Sequence, residues 1–212
     1  MSAERFIRYS KPAVFLACLV PMGLLVRKGL TSQLGANPIE VITHSTGDWT
    51  LIFLCVTLAI TPVRRVLGLP WLVRYRRMTG LFAFFHGSLH LMTYVWLDKF
   101  FDWHEILKDV GKRPFIAAGF TAFVLMVPLA ATSTAGMIRR LGGRRWQMLH
   151  RLIYVSAVAG VIHYRWLVKA DARVPLRYAA AVAILLVSRR VIYFLDRRKP
   201  DTRAMEQAER VS

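Results

Sequence analysis

Residues Trp146–Trp166, WQMLHRLIYVSAVAGVIHYRW, decide how the rest of the chain is read. The stretch is about twenty residues of mostly apolar sequence with a tryptophan at each end, the length and flanking of a helix that crosses the bilayer core. It carries two histidines, His150 and His163, thirteen positions apart. At about 1.5 Å per residue they lie roughly 20 Å apart along a helix, near opposite faces of a membrane. Ionisable, metal-ligating side chains are costly in that setting, so by default they mark function.

Five further segments are long enough, or nearly so, to span: 12–28, 49–66, 79–97, 114–132 and 175–195. The chain of 212 residues is 55 % hydrophobic with a mean hydropathy of +0.39. The expected fold is therefore an all-α integral membrane protein, a six-helix bundle over 12–195. It is preceded by a cytoplasmic N-terminus (1–11) and followed by a short polar cytoplasmic tail (196–212). PAVFLACLVPMGLLV lacks the small-residue cleavage site of a signal peptide and is read as an uncleaved first helix. Pro175 sits where the last helix would start, a position proline suits.

The net charge of +18 would suggest nucleic acid in a soluble protein. Here Lys and Arg form short clusters between apolar runs, so the expected partner is a lipid bilayer and not nucleic acid. Roughly twice as many fall on the side holding the N-terminus and the even-numbered loops as on the other, which puts both termini in the cytoplasm. All six tryptophans fall at span ends or in connections, as an interfacial belt would. Residues 98–112 alternate Phe101, Ile106, Leu107 and Val110 with Asp102, Glu105 and Asp109, the pattern of an amphipathic helix on the outer surface. Cys18 and Cys55 stand alone inside apolar runs, with no spacing that suggests zinc or an iron–sulfur cluster.

Neutral imidazole is an axial ligand for haem b. His90 lies eleven residues into the third segment and His163 near the outer end of the fifth. Their depths are comparable, so a bis-histidine haem bridging those two helices is expected; buried hydrogen bonding is the alternative. His150, near the cytoplasmic end, is a candidate ligand for a second haem or a hydrogen-bond partner of a propionate or quinone. The position facing it on the third segment is Arg76, not histidine. Thirteen residues at about 100° each also leave the imidazoles of His150 and His163 roughly 140° apart around a straight helix. His86, one turn before His90, and His44, at the outer mouth of the second segment, are candidates for the vicinity of a haem or quinone. His104 reads as a surface histidine. Arg77 and Arg151 are candidate partners of propionate or phosphate, Arg151 because it lies inside a span.

LGANPIEVITHSTGDWTL, LAITPVRR, RRMTGL with LHLMTY, KRPF and above all TSTAGMIRRLGGRRWQMLHRLIYV followed by IHYRW carry a resemblance across roughly residues 10–195. The chain resembles the haem-binding membrane subunits of bacterial periplasmic methionine-sulfoxide reductase systems, within the ferric-reductase-like transmembrane family. The resemblance implies a multi-pass inner-membrane subunit that is not itself the reductase. Electrons from quinol or a cytosolic flavin reductase would cross on haem b to a periplasmic molybdopterin-containing catalytic subunit that repairs oxidised methionines. It also implies FMN, and haem ligation by His90, His150 and His163, while His86 matches no family histidine. Wider relatives carry two histidines on each of two helices; this chain lacks the inner one on the third segment. No Gly-rich dinucleotide turn is present to place a flavin. About seventeen residues follow the last span, so the chain is not expected to oxidise a nicotinamide unaided. The competing readings are a transmembrane ferric or cupric reductase and a non-redox transporter or scaffold.

Overall fold

A computed structural model describes residues 3–197, with side chains placed for 5–195; the expected tail lies outside the described residues from 198 on. Among the described residues every regular element is helical. They are α1 (Ala3–Leu30), α2 (Pro38–Val66), a 3-10 turn (Pro70–Tyr75), α3 (Arg76–Met92) continued by a π-helical turn (Thr93–Asp98), α4 (Trp103–Lys112), α5 (Pro114–Ala131), α6 (Ala135–Leu141), α7 (Gly143–Leu149), α8 (Leu152–Leu167) and α9 (Arg173–Arg197).

Local chemistry explains where these elements depart from the sequence reading. α2 starts eleven residues before the expected span. Asn37 caps it by accepting from the Glu40 N–H (3.3 Å), Pro38 takes the first position, and Glu40 sits in the positive first turn. The polar run that obscured this start stays helical because its hydroxyls turn back onto the helix. Thr43, Thr46 and Thr50 each donate to the carbonyl four residues earlier, at 2.8 Å. The Trp146–Trp166 stretch is not one helix. Backbone bonding shortens to three residues at Arg151 and Tyr154, separating α7 from α8 at His150 and Arg151. α9 begins at Arg173, so Pro175 falls inside its first turn.

Among the described residues, four helices are long and apolar enough to cross a membrane: Arg5–Leu30, Pro38–Val66, Pro114–Ala131 and Arg173–Leu195. α3, with 17 residues, and α8, with 16, fall short of about twenty. α3 gains length from its π-helical turn, and α8 gives up its first turn to the separation at His150.

The core lies where α2, α3, α5 and α8 meet, on Leu51, Leu54, Leu58, Ala83, Met126 and Ala157. Small side chains allow close approach: Ala83 and Ala157 are fully buried, and Ser156 donates to the Ala122 carbonyl (2.8 Å). Thr57 and Thr79 tie α2 to α3 at 2.9 Å. Outward faces are apolar instead of polar. Leu16 is 63 % exposed and Ile184 66 %, the reverse of a water-soluble bundle. The chain is a multi-pass membrane protein.

Candidate functional site

His90 leaves α3 one turn before the π-helical stretch, and its Nδ1 donates to the Thr43 carbonyl of α2 (2.9 Å). His163 leaves α8 toward α5, and its Nδ1 donates to the Phe115 carbonyl (2.7 Å). A carbonyl oxygen only accepts, so in both rings the proton sits on Nδ1 and the lone pair on Nε2. An outer N–H held by a backbone carbonyl is the usual support of a metal-ligating imidazole. The two ring centroids are 6.0 Å apart with planes 76° apart. Two metal–imidazole bonds of about 2 Å each, plus two half-rings, add to roughly that span.

Glycines make the approach possible. A Cβ on Gly119 of α5 would come within 2.7 Å of His163 Nδ1, and one on Gly47 of α2 within 3.1 Å of His90 Nδ1. Each ring thus lies on bare backbone of a neighbouring helix, and its tilt is fixed by that backbone.

Both imidazoles line a cavity of about 360 Å³ enclosed by α2, α3, α5 and α8. Leu51, Leu54, Phe120, Phe123 and Met126 give it apolar walls, the usual lining of a cofactor cavity. Its mouth is polar, with His44, Asp48, Asp98, Arg113 and Tyr164. His44 Nε2 stands 3.8 Å from Glu40. Among the described residues no group of three or more His, Cys, Asp or Glu side chains could hold a bare metal ion. Two facing imidazoles in an apolar slot fit a metal whose remaining ligands come from a macrocycle, as in haem.

The expected amphipathic helix is α4, with Ile106 buried and Leu107 and Trp103 exposed. It is docked beside the cavity mouth by a buried carboxylate. Asp109 receives Lys99 (2.9 Å), Arg113 (3.2 Å) and the Tyr94 hydroxyl (3.1 Å). The hydrogen bond from Lys99 holds the Asp109 carboxyl below its ordinary range, and the same contact raises Lys99.

The remaining candidates lie elsewhere. His150 stacks on Trp146 (centroids 3.9 Å) at the α7–α8 junction. Thr132 Oγ1 donates its one hydrogen to the Pro128 carbonyl (2.7 Å), so at 3.2 Å it receives from His150 Nε2. His150 is therefore the opposite tautomer to His90 and His163. His86 is fully buried among Trp49, Phe53 and Phe85, its Nδ1 on the Phe82 carbonyl and its Nε2 without a partner, and it does not line the cavity. Arg77 lines a separate groove between α1 and α3, and Arg151 is exposed.

Arg189 of α9 reaches into the bundle. Pro62 has no N–H for the Leu58 carbonyl four residues before it, and Arg189 supplies the donors instead: Nε at 2.9 Å and Nη2 at 2.6 Å. Nη1 bonds the Tyr154 hydroxyl (3.0 Å). A proline in one span paired with a cation in another was the available signal.

Residues 46–161 match the family described as ferric reductase like transmembrane component. A relative from Herminiimonas arsenicoxydans is 59 % identical over 84 % of this chain and 83 % of its own length. One from Ralstonia nicotianae is 53 % identical over 88 % and 87 %, and one from Rhodospirillum rubrum 51 % over 87 % and 88 %. Each of the three is named protein-methionine-sulfoxide reductase heme-binding subunit MsrQ. No solved structure matches the chain.

Proposed function

Because this chain belongs to the ferric reductase-like transmembrane family, and within it to the heme-binding subunits of protein-methionine-sulfoxide reductases, we propose that it is a haem b electron conduit. It carries electrons from the quinol pool or a cytosolic flavin reductase across the bacterial inner membrane. The acceptor is a periplasmic molybdopterin-containing methionine-sulfoxide reductase, which performs the repair chemistry; this chain is its non-catalytic membrane subunit. Six helical columns cross the bilayer, α3 with its π-helical turn and α8 completing the four longer ones, and both termini lie in the cytoplasm.

The observation that carries this reading is the His90–His163 pair, with both Nδ1 atoms held by carbonyls and 6.0 Å between ring centroids. Haem bound there supplies reversible one-electron storage. The chain's part is to present two Nε2 lone pairs from helices packed against a common neighbour, so that neither ring turns as charge changes. Gly47 and Gly119 let the rings seat, and the apolar walls keep water from the centre. The carbonyls of Thr43 and Phe115 accept the single N–H of each ring and raise the ligands' basicity. We propose one haem at this pair. His150, whose Nε2 serves Thr132, braces the inner junction. FMN, which the family resemblance implies, is a second cofactor in this reading.

Reduced-minus-oxidised spectra of the purified, haem-supplemented protein test the reading. A b-type signal lost in His90→Ala and in His163→Ala is expected; its survival in both removes the proposed pair. Reoxidation of the reduced protein by the periplasmic partner plus methionine sulfoxide is expected. Reoxidation by ferric chelate alone would favour a metalloreductase.

A further inference from the structure

A second concavity, of about 490 Å³, lies between α1 and α3, away from the histidines. Phe6 packs on Trp71 (5.1 Å), Ser10 hydrogen-bonds Tyr75 and Phe15 packs on Phe82 (5.2 Å). These contacts ascend both segments together, so α1 and α3 run side by side in the same direction and begin at the same end of the bundle.

Two matching stripes face the groove. On α1 it is lined by Lys11, Phe15 and Leu19, and on α3 by Arg77, Leu81 and Phe85. Each series has a spacing of four, which is one helix face, and each reads cation, apolar, apolar over about 12 Å. Among the described residues that line the groove, none is acidic. Phe15 and Phe85 remain 47 % and 39 % exposed, so the apolar lane is open along the outside of the bundle. With Arg77 in the first turn of α3, Lys11 across the groove on α1 and two apolar turns leading away from them on each helix, the groove is complementary to an anionic headgroup carrying an acyl chain. A soluble phosphate compound would use the cations and leave the lane empty.

We propose that this groove binds an anionic phospholipid of the phosphatidylglycerol type, its phosphodiester on Lys11 and Arg77 and an acyl chain along Phe15, Leu19, Leu81 and Phe85. The lipid fills the seam by which α1 meets the bundle. The proposal rests on the chain lying in a bilayer and not on haem ligation, since no groove residue lines the histidine cavity.

The test places the intact protein in nanodiscs of equimolar phosphatidylglycerol and phosphatidylethanolamine and counts retained lipids by native mass spectrometry after release into mild detergent. Wild type is expected to retain phosphatidylglycerol over phosphatidylethanolamine by at least about fivefold. Lys11→Gln/Arg77→Gln is expected to return the ratio to that of the bilayer. Arg144→Gln/Arg145→Gln, which removes the same charge from α7, should leave the preference unchanged, and the haem-to-protein ratio should hold in both. Equal retention of the two lipids by wild type overturns the proposal whether or not the double variant folds. So does an undiminished preference in Arg77→Gln alone, or loss of the retained lipid to millimolar FMN or inorganic phosphate, which would assign the cations to a soluble phosphate.

Discussion

His163 and His150 come from one apolar stretch and are held in opposite ways. At the outer end, His163 gives its Nδ1 proton to the carbonyl of Phe115, lies on Gly119 and faces His90 across the cavity. At the inner end, His150 gives its Nε2 proton to Thr132, stacks on Trp146 and sits where the helix is interrupted. Two histidines of one stretch thus differ in which ring nitrogen is engaged: Nε2 of His163 is left open toward the cavity, and Nε2 of His150 is taken by Thr132. The outer pair is supported by backbone on both sides. The inner histidine is itself a support, closing α7 against α5.

If that difference is real, His90→Ala or His163→Ala lowers the haem-to-protein ratio by at least about tenfold, while His150→Ala keeps it within about twofold of wild type. Pyridine haemochrome assay of the three purified variants measures it. Comparable losses in all three would make His150 a ligand and erase the distinction.

Gly119→Ala asks whether the backbone seat matters apart from the ligand. Its methyl would stand 2.7 Å from His163 Nδ1, so ring and carbonyl must part. Losing such outer support costs a metal site about 10- to 100-fold in affinity, which haem titration of the apoprotein reads. Gly47→Ala meets His90 at 3.1 Å and is expected to weaken binding less. Equal affinity in Gly119→Ala and wild type would mean that the seat is incidental.

These differences mark what the sequence could and could not say. Apolar runs are legible from length alone, and the helical rise put His90 and His163 at one depth. Angle and tautomer are not, because they depend on carbonyls of α2 and α5 that have no sequence signature. The start of α2 was hidden by threonines whose hydroxyls bond within the helix. The interruption at His150 was hidden by continuous hydropathy. Arg189 was counted with the topological charges of its side, since nothing local distinguishes it from exposed Arg190.

Arg189 gives the inner end its own test. Arg189→Leu leaves the Leu58 carbonyl without the donors that replace the missing N–H of Pro62, a cost of about 1–3 kcal/mol. The thermal midpoint of the detergent-solubilised protein should fall accordingly, with haem content little changed. Pro62→Ala returns an N–H to that carbonyl, so Arg189→Leu should cost less in the Pro62→Ala background. Additive losses would show that Arg189 acts on something other than the proline gap.

The outer end should also differ from the inner in its response to acid, though this effect is the smallest. Asp109 holds α4 through Lys99, Arg113 and Tyr94, and its folded carboxyl titrates below the ordinary carboxylate range because Lys99 hydrogen-bonds it. A carboxyl lowered on folding stabilises fully above its unfolded value, about 3.9, and loses that contribution as pH falls through the lower folded value. Hydrogen exchange over 100–113, corrected for the intrinsic rate, should therefore show protection that is level from pH 7 to about 4 and declines only below it. Asp109→Asn should lower protection there at every pH and remove the acid-dependent step, while 143–151, whose contacts are Trp146 stacking and the Thr132 hydrogen bond, stays as in wild type. A decline beginning near pH 6 would show that Asp109 is not the group that sets the acid response of this end.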